Sequence, residues 1–343
     1  MLLTKPRFAL WRAAAVLLFA VPLSGCGVGY VAQAARGQLA VMRARQPIAR
    51  VLERPDTSPG LREQLQRAQR IREFASLELG LPDNAAFRSY ADIGRRYVVW
   101  NVVATPELSM TPRQWCFPIA GCVAYRGYFH EAAARAYAAQ LAARGDDVVV
   151  GGVPAYSTLG RTADPILSTV AGYSELDLAA LIFHELAHQV LYVPGDSAFN
   201  EAFATAVEEV GVTRYAARYV DAAQLARWHQ RRALRQQVIA EFSAARARLA
   251  ALYASAASDD EKRRGKQAAL AALATRVREI EAAAGQPSGY GAWIDAGLNN
   301  AYLASVATYY EGVPRLLALL EQDCGGYLPC FYLAALRAAT QSR

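Results

Sequence analysis

The sequence predicts an α+β fold that is mostly helical, with a small sheet and a long helical hairpin inserted late in the chain. Three observations predict it. Apolar residues recur at helical spacing through most of the chain, β-rich runs are few and short, and residues 222–284 narrow to Ala, Arg, Leu, Gln and Glu. In order, residues 30–52 read as one amphipathic helix ended by Arg54-Pro55. Pro59 opens a second helix that Gly80 stops. Residues 97–103 (Tyr-Val-Val-Trp-Asn-Val-Val) read as a strand, with a further strand at 125–129. A helix over 131–144 closes at Gly145, and 147–153 is a strand bounded by Gly151-Gly152 and Pro154. Ser174, with Asp177 three residues on, caps the next helix. Ser258-Asp259-Asp260-Glu261 is a strong N-cap, so 222–284 folds as two long antiparallel helices turning near 254–258. Its arginines read as a solvated face. An Asn299-Asn300 stretch is followed by a helix-like run over 313–321.

Composition excludes several classes. With 54% hydrophobic and 20% charged residues over 343 positions, the chain is too apolar for disorder. A mean hydropathy of +0.07 argues against a multi-span membrane protein. The net charge is +7, but Lys5, Arg7 and Arg12 fall in a segment expected to be removed. Without them 34 basic residues face 30 acidic ones, too mild a balance for a nucleic-acid partner.

Those three cations precede a short apolar run, 13–23, and then Leu23-Ser24-Gly25-Cys26. Residues 1–25 resemble a bacterial lipoprotein signal with its lipobox. The resemblance implies an acylated Cys26 as the new N-terminus, anchoring residues 26–343 to a membrane, since several acyl chains hold where one does not. Gly27 after the cysteine leans toward the outer membrane, so the expected location is the cell envelope, facing the periplasm. The other four cysteines agree with export. Cys116 and Cys122, and Cys324 and Cys330, sit close together in loop-like contexts, and two local disulfides are expected, although four cysteines permit three pairings.

The chemistry lies in Phe183-His184-Glu185-Leu186-Ala187-His188-Gln189, an H-E-x-x-H motif on a helix. Four residues make just over one turn, so His184 and His188 share a face and can hold one metal ion. Glu185 beside the first ligand can act as general base toward a water on that metal. Downstream, Asn200-Glu201-Ala202-Phe203-Ala204 offers Glu201 as third ligand on a following helix, and Pro194-Gly195-Asp196 can reverse the chain between them.

The pair H-E-L-A-H-Q and N-E-A-F-A resembles the gluzincin metallopeptidases. The segments 121–129, 154–160 and 298–309 resemble a family of bacterial lipoproteins called predicted aminopeptidases. The resemblance implies zinc at His184, His188 and Glu201, a peptide substrate and a gluzincin-like core with its sheet against the zinc helix. Two departures stand out. Glu201 follows His188 by only thirteen positions, which implies a compact site. Thr205 stands where thermolysin-type enzymes carry an Asp that orients a ligand histidine, so Glu208 or Glu209 is the candidate for that task.

The resemblance further implies an edge strand to align substrate, for which 147–153 is the candidate, and an oxyanion donor. Tyr125, Tyr128, Tyr309 and His229 are its candidates, and Tyr309 is chosen as catalytic beside Glu185. Glu107 or Asp164 could hold a substrate amine. The rival reading is a non-catalytic envelope scaffold with a vestigial zinc site and the hairpin as a partner-binding arm.

Overall fold

The computed structural model describes residues 27–117, 121–306 and 312–341. The first helix ends early. α1 (Val28–Arg43) gives way to a three-residue strand, β1 (Arg45–Pro47), before α2 (Ile48–Glu53) resumes. The single helix expected over 30–52 is therefore broken. Pro47 lacks the N–H a continuing helix needs, and its ring pushes Gln46 out of the α region. The freed backbone pairs antiparallel with β2 (Ser89–Ala91), which runs parallel to β8 (Ile166–Leu167).

α3 (Pro59–Leu77) starts as expected, with Pro59 in the first turn and the Ser58 hydroxyl accepting from Leu61 N. It also carries Arg72, 1% exposed. The guanidinium donates to the carbonyls of Ala86 at 2.9 Å, Pro82 at 2.6 Å and Asn84 at 3.2 Å, and to the Ser76 hydroxyl. Burial and the nearby Arg88 charge pull it down to about 10. Arg72 thus fastens the loop 79–88 to the core. Arg72→Met would leave the Ala86 and Pro82 carbonyls without this donor, the Asn84 carbonyl keeping Arg88, so a loss of roughly 3–5 kcal/mol is expected in urea unfolding; a loss under about 1 kcal/mol would contradict this role.

The larger sheet has β3 (Val99–Pro106) at its centre. β6 (Arg126–Tyr128) and β7 (Asp146–Val153) flank it, both antiparallel. Val102, Ala104 and Tyr128 pack with Ala134, Ala138 and Leu141 of α4 (Glu131–Ala142). A small hairpin, β4 (Trp115–Phe117) and β5 (Gly121–Val123), is bridged by Cys116–Cys122. The second expected bridge, Cys324–Cys330, joins α11 (Val313–Cys324) to α12 (Leu328–Gln341).

Two helices form the heart of the molecule, α5 (Glu175–Val190) and α6 (Ser197–Tyr219). Leu178, Ala179, Ile182, Phe183, Leu186 and Ala187 of α5 share one core with Leu65, Ile71 and Phe74 of α3 and with Ala202, Phe203 and Val207 of α6. Full burial of each large apolar side chain is worth about 1.5–3 kcal/mol. Gly211 lets α6 approach closely, since a Cβ there would stand 2.7 Å from Phe183 and 2.8 Å from Leu79. The expectation of a sheet against this helix needs correction. α5 packs chiefly on α6 and α3, whereas β7 and β3 are covered by α4 and by α10 (Asn300–Val306). The apolar face of α5 is broad enough to occupy helices on both sides.

The hairpin consists of α7 (Ala222–Ala254) and α8 (Asp259–Ala284), with the full capping box at Ser258 and Glu261. It has a core of its own. Leu234, Val238, Phe242 and Leu249 meet Leu273, Val277 and Ile280, joined by Met110, Leu303 and Val306. It is docked at both ends, by Arg232 onto Glu208 and Glu209 and by Lys266 onto Asp147 at 2.7 Å. Among the described residues no helix is long and apolar enough to cross a membrane.

Candidate metal centre

The local sequence dictates how the site closes. The Ser174 hydroxyl accepts from Asp177 N at 3.2 Å and starts α5 where the cap signal placed it. α5 therefore presents His184 and His188 on one face. The chain leaves α5 at Leu191 in extended form, turns through Gly195 at φ +85°, and re-enters a helix under the Asp196 cap. Asn200, 2% exposed, ties this loop shut: its amide donates to Val193 O at 2.8 Å and accepts from Val193 N at 2.7 Å. That pair of hydrogen bonds makes the short gap workable and turns Glu201 back onto the histidines.

His184 Nε2 and His188 Nε2 stand 3.2 Å apart. The Glu201 carboxylate lies 3.3 Å from the first and 3.8 Å from the second. Donors held at ~2.0–2.1 Å around a tetrahedral ion stand about 3.3–3.4 Å apart. The three groups thus have the spacing of a ligand set, and they could hold one metal ion. Electrostatics agrees. Burial would lower the His184 pKa, but the Glu201 and Glu208 carboxylates overcome it and raise the ring to about 10. Burial, helped by the His184 charge, lowers His188 to about 4. Near neutral pH the positive charge therefore sits on His184, facing the Glu201 and Glu208 carboxylates, while His188 stays neutral. A cation supplies the same charge among the three donor atoms.

Around these donors lies a second ring. The Glu208 carboxylate meets His184 Nδ1 at 3.1 Å, so when a metal ion displaces the proton on Nε2 the remaining proton is held on Nδ1 and Nε2 faces the ion. Its other oxygen accepts from Arg232. Glu209 accepts from the same arginine at 2.8 and 2.9 Å. Of the two carboxylates considered for orienting a ligand histidine, Glu208 is the one in contact. His188 Nδ1 is buried without a hydrogen-bond partner among the described residues. Glu185 is pushed up to about 7 by burial, against the pull of His184 and with the push of Glu201, Asp164 and Glu208. A base near 7 is in the range where proton transfer at neutral pH is efficient.

Residues 29–343 match the family described as "Putative aminopeptidase". The chain belongs to this family. No curated protein and no solved structure matches it. Membership of an aminopeptidase family makes it a peptidase at the coarse level, with peptide as the substrate class.

Other expected residues of this aminopeptidase-family chain fall in different places. Cys26 and Tyr309 lie outside the described residues. Tyr125, in the turn between β5 and β6, is 44% exposed, yet desolvation and then the Glu201 and Glu185 charges push its phenol up to about 12. The phenol thus lies within electrostatic range of both carboxylates. Tyr128 belongs to the apolar cluster under α4 and is a packing residue. His229 is exposed on α7, edge-on to Trp228. Glu107 is engaged by Arg263 at 3.1 Å on the hairpin. Asp164, 3% exposed, is saturated by Thr158 N at 2.7 Å and the Thr158 and Thr162 hydroxyls, so it orders the loop after β7 and is not open to a substrate amine. β7 is an edge strand, as expected, but Asn299 already donates to Val148 O at 3.1 Å. Sequence reasoning missed Arg232, one arginine among many in a stretch that reads as solvated.

Proposed function

We propose that the chain is a zinc-dependent metallopeptidase of gluzincin type, acting as an aminopeptidase in the bacterial cell envelope. The observation that carries it is the convergence of His184, His188 and Glu201 within 4.8 Å, with Glu185 beside them. Two histidines and a carboxylate also suit iron(II), but a neighbouring carboxylate base is what hydrolysis needs. Zinc held there would act as a Lewis acid and make water a better nucleophile. Glu185 takes the proton from the attacking water and returns it to the leaving amine. Tyr125 or Tyr309 donates a hydrogen bond to the carbonyl oxygen as charge develops. Glu208 keeps His184 in its binding tautomer.

The scaffold reading loses ground on two observations. Glu185 is retained, and the hairpin is docked on the body by Arg232 and Lys266, where a free partner-binding arm would stand clear. The address at 1–26 supports a lipid-anchored envelope protein, and membrane fractionation of Cys26→Ser tests it: the variant should leave the membrane or stay unprocessed.

Incubating the soluble chain from Gly27 with a peptide library tests the activity. Cleavage should require zinc, stop with a chelator, return on adding zinc, and prefer free over blocked N-termini. Equal cleavage of blocked peptides would make it an endopeptidase. No cleavage by the zinc-loaded protein would overturn the reading.

A further inference from the structure

The helical hairpin reaches the carboxylates around the candidate metal centre through Arg232. Arg232 lies on α7, in the third turn of the helix, and is only 14% exposed. Its guanidinium stacks over Trp228, 5.1 Å from the ring centroid, and Trp228 is itself part of the core beneath α5 and α6. One arm of the fork donates to Glu208 and two nitrogens donate to Glu209, the neighbouring residue on α6. The Glu208 carboxylate is thereby divided, with Oε1 on Arg232 and Oε2 on His184 Nδ1. Both carboxylates are largely covered, at 13% and 20% side-chain exposure. A carboxylate on a long side chain has many rotamers, and few of them point Oε2 at the imidazole. We infer that Arg232 is a positioning residue: it locks Glu208 in the orientation that holds His184, making the hairpin a structural part of the metal centre. A lysine could supply the charge but not the planar fork that binds two carboxylates at once.

The inference rests on the zinc reading and is tested by zinc affinity, measured by chelator competition on the folded chain from Gly27. Arg232→Ala should weaken zinc binding by ~10–100-fold, the usual cost of losing an outer partner of a ligand histidine. Arg232→Lys should fall between it and wild type. Arg231→Ala, on the adjacent surface position where Arg231 pairs with Asp177 at 3.2 Å, should leave affinity unchanged. In a Glu208→Gln background, Arg232→Ala should add less than about threefold, because the two act as a unit. If Arg232→Ala or Arg232→Lys folds and binds zinc like wild type, the inference is overturned. The same holds if Arg232→Ala costs as much in the Glu208→Gln background as it does alone, which would mark a general structural effect. Wild type that binds no zinc overturns the underlying reading as well, so the two failures are told apart by the parent protein.

Discussion

On the zinc-peptidase reading, Glu185→Gln is expected to lower peptide hydrolysis by at least ~10²-fold while zinc binding holds. The substitution keeps the shape of the side chain and leaves His184, His188 and Glu201 in place. An amide cannot accept the proton of the attacking water, nor carry it to the leaving amine. One positioned acid–base is typically worth about 10²–10⁴-fold, and here a single group serves both steps. Burial already costs the Glu185 carboxylate its solvation, so a neutral amide is not a burden to the fold. Activity and metal content therefore separate cleanly. A variant that holds zinc and cleaves the best library peptide at the wild-type rate would remove Glu185 from the mechanism.

Glu201→Ala is expected to abolish tight zinc binding. It removes one of three donors, so the loss should exceed the ~10–100-fold expected for an outer partner. It also removes one of the carboxylates that sustain the high His184 pKa. Zinc should raise the melting temperature of wild type, since it binds the folded state, and should leave that of Glu201→Ala almost unmoved. Retention of full affinity would mean that the third ligand is elsewhere, with Glu208 the next carboxylate in contact with a histidine.

The contrast between what sequence foretold and what it did not has a physical basis. α5, its Ser174 cap and the hairpin turn at Ser258 were legible because helix signals are local: a helical period of about 3.6 residues and a cap set within a few positions. The grouping of His184, His188 and Glu201 was legible because the i, i+4 spacing on one helix needs only one short return, which Asn200 secures. β1, β2 and β8 were not. They are two or three residues long, and their pairing partners lie far away in the chain. A strand that short has no alternation to read. Pro47 was visible, but the apolar period on either side carried the helix across it. Arg232 was hidden for a different reason. Its role comes from the docking of α7 against α6, which no local pattern encodes, and its neighbours Arg227, Arg231 and Arg235 look the same in sequence.

The most direct test of the metal centre is anomalous diffraction at the zinc edge from crystals of the chain from Gly27 grown with zinc. One strong peak is expected within ~2.0–2.2 Å of His184 Nε2, His188 Nε2 and a Glu201 carboxylate oxygen. No peak at that position, or a peak on other side chains while these three stay as they are, would contradict the ligand assignment.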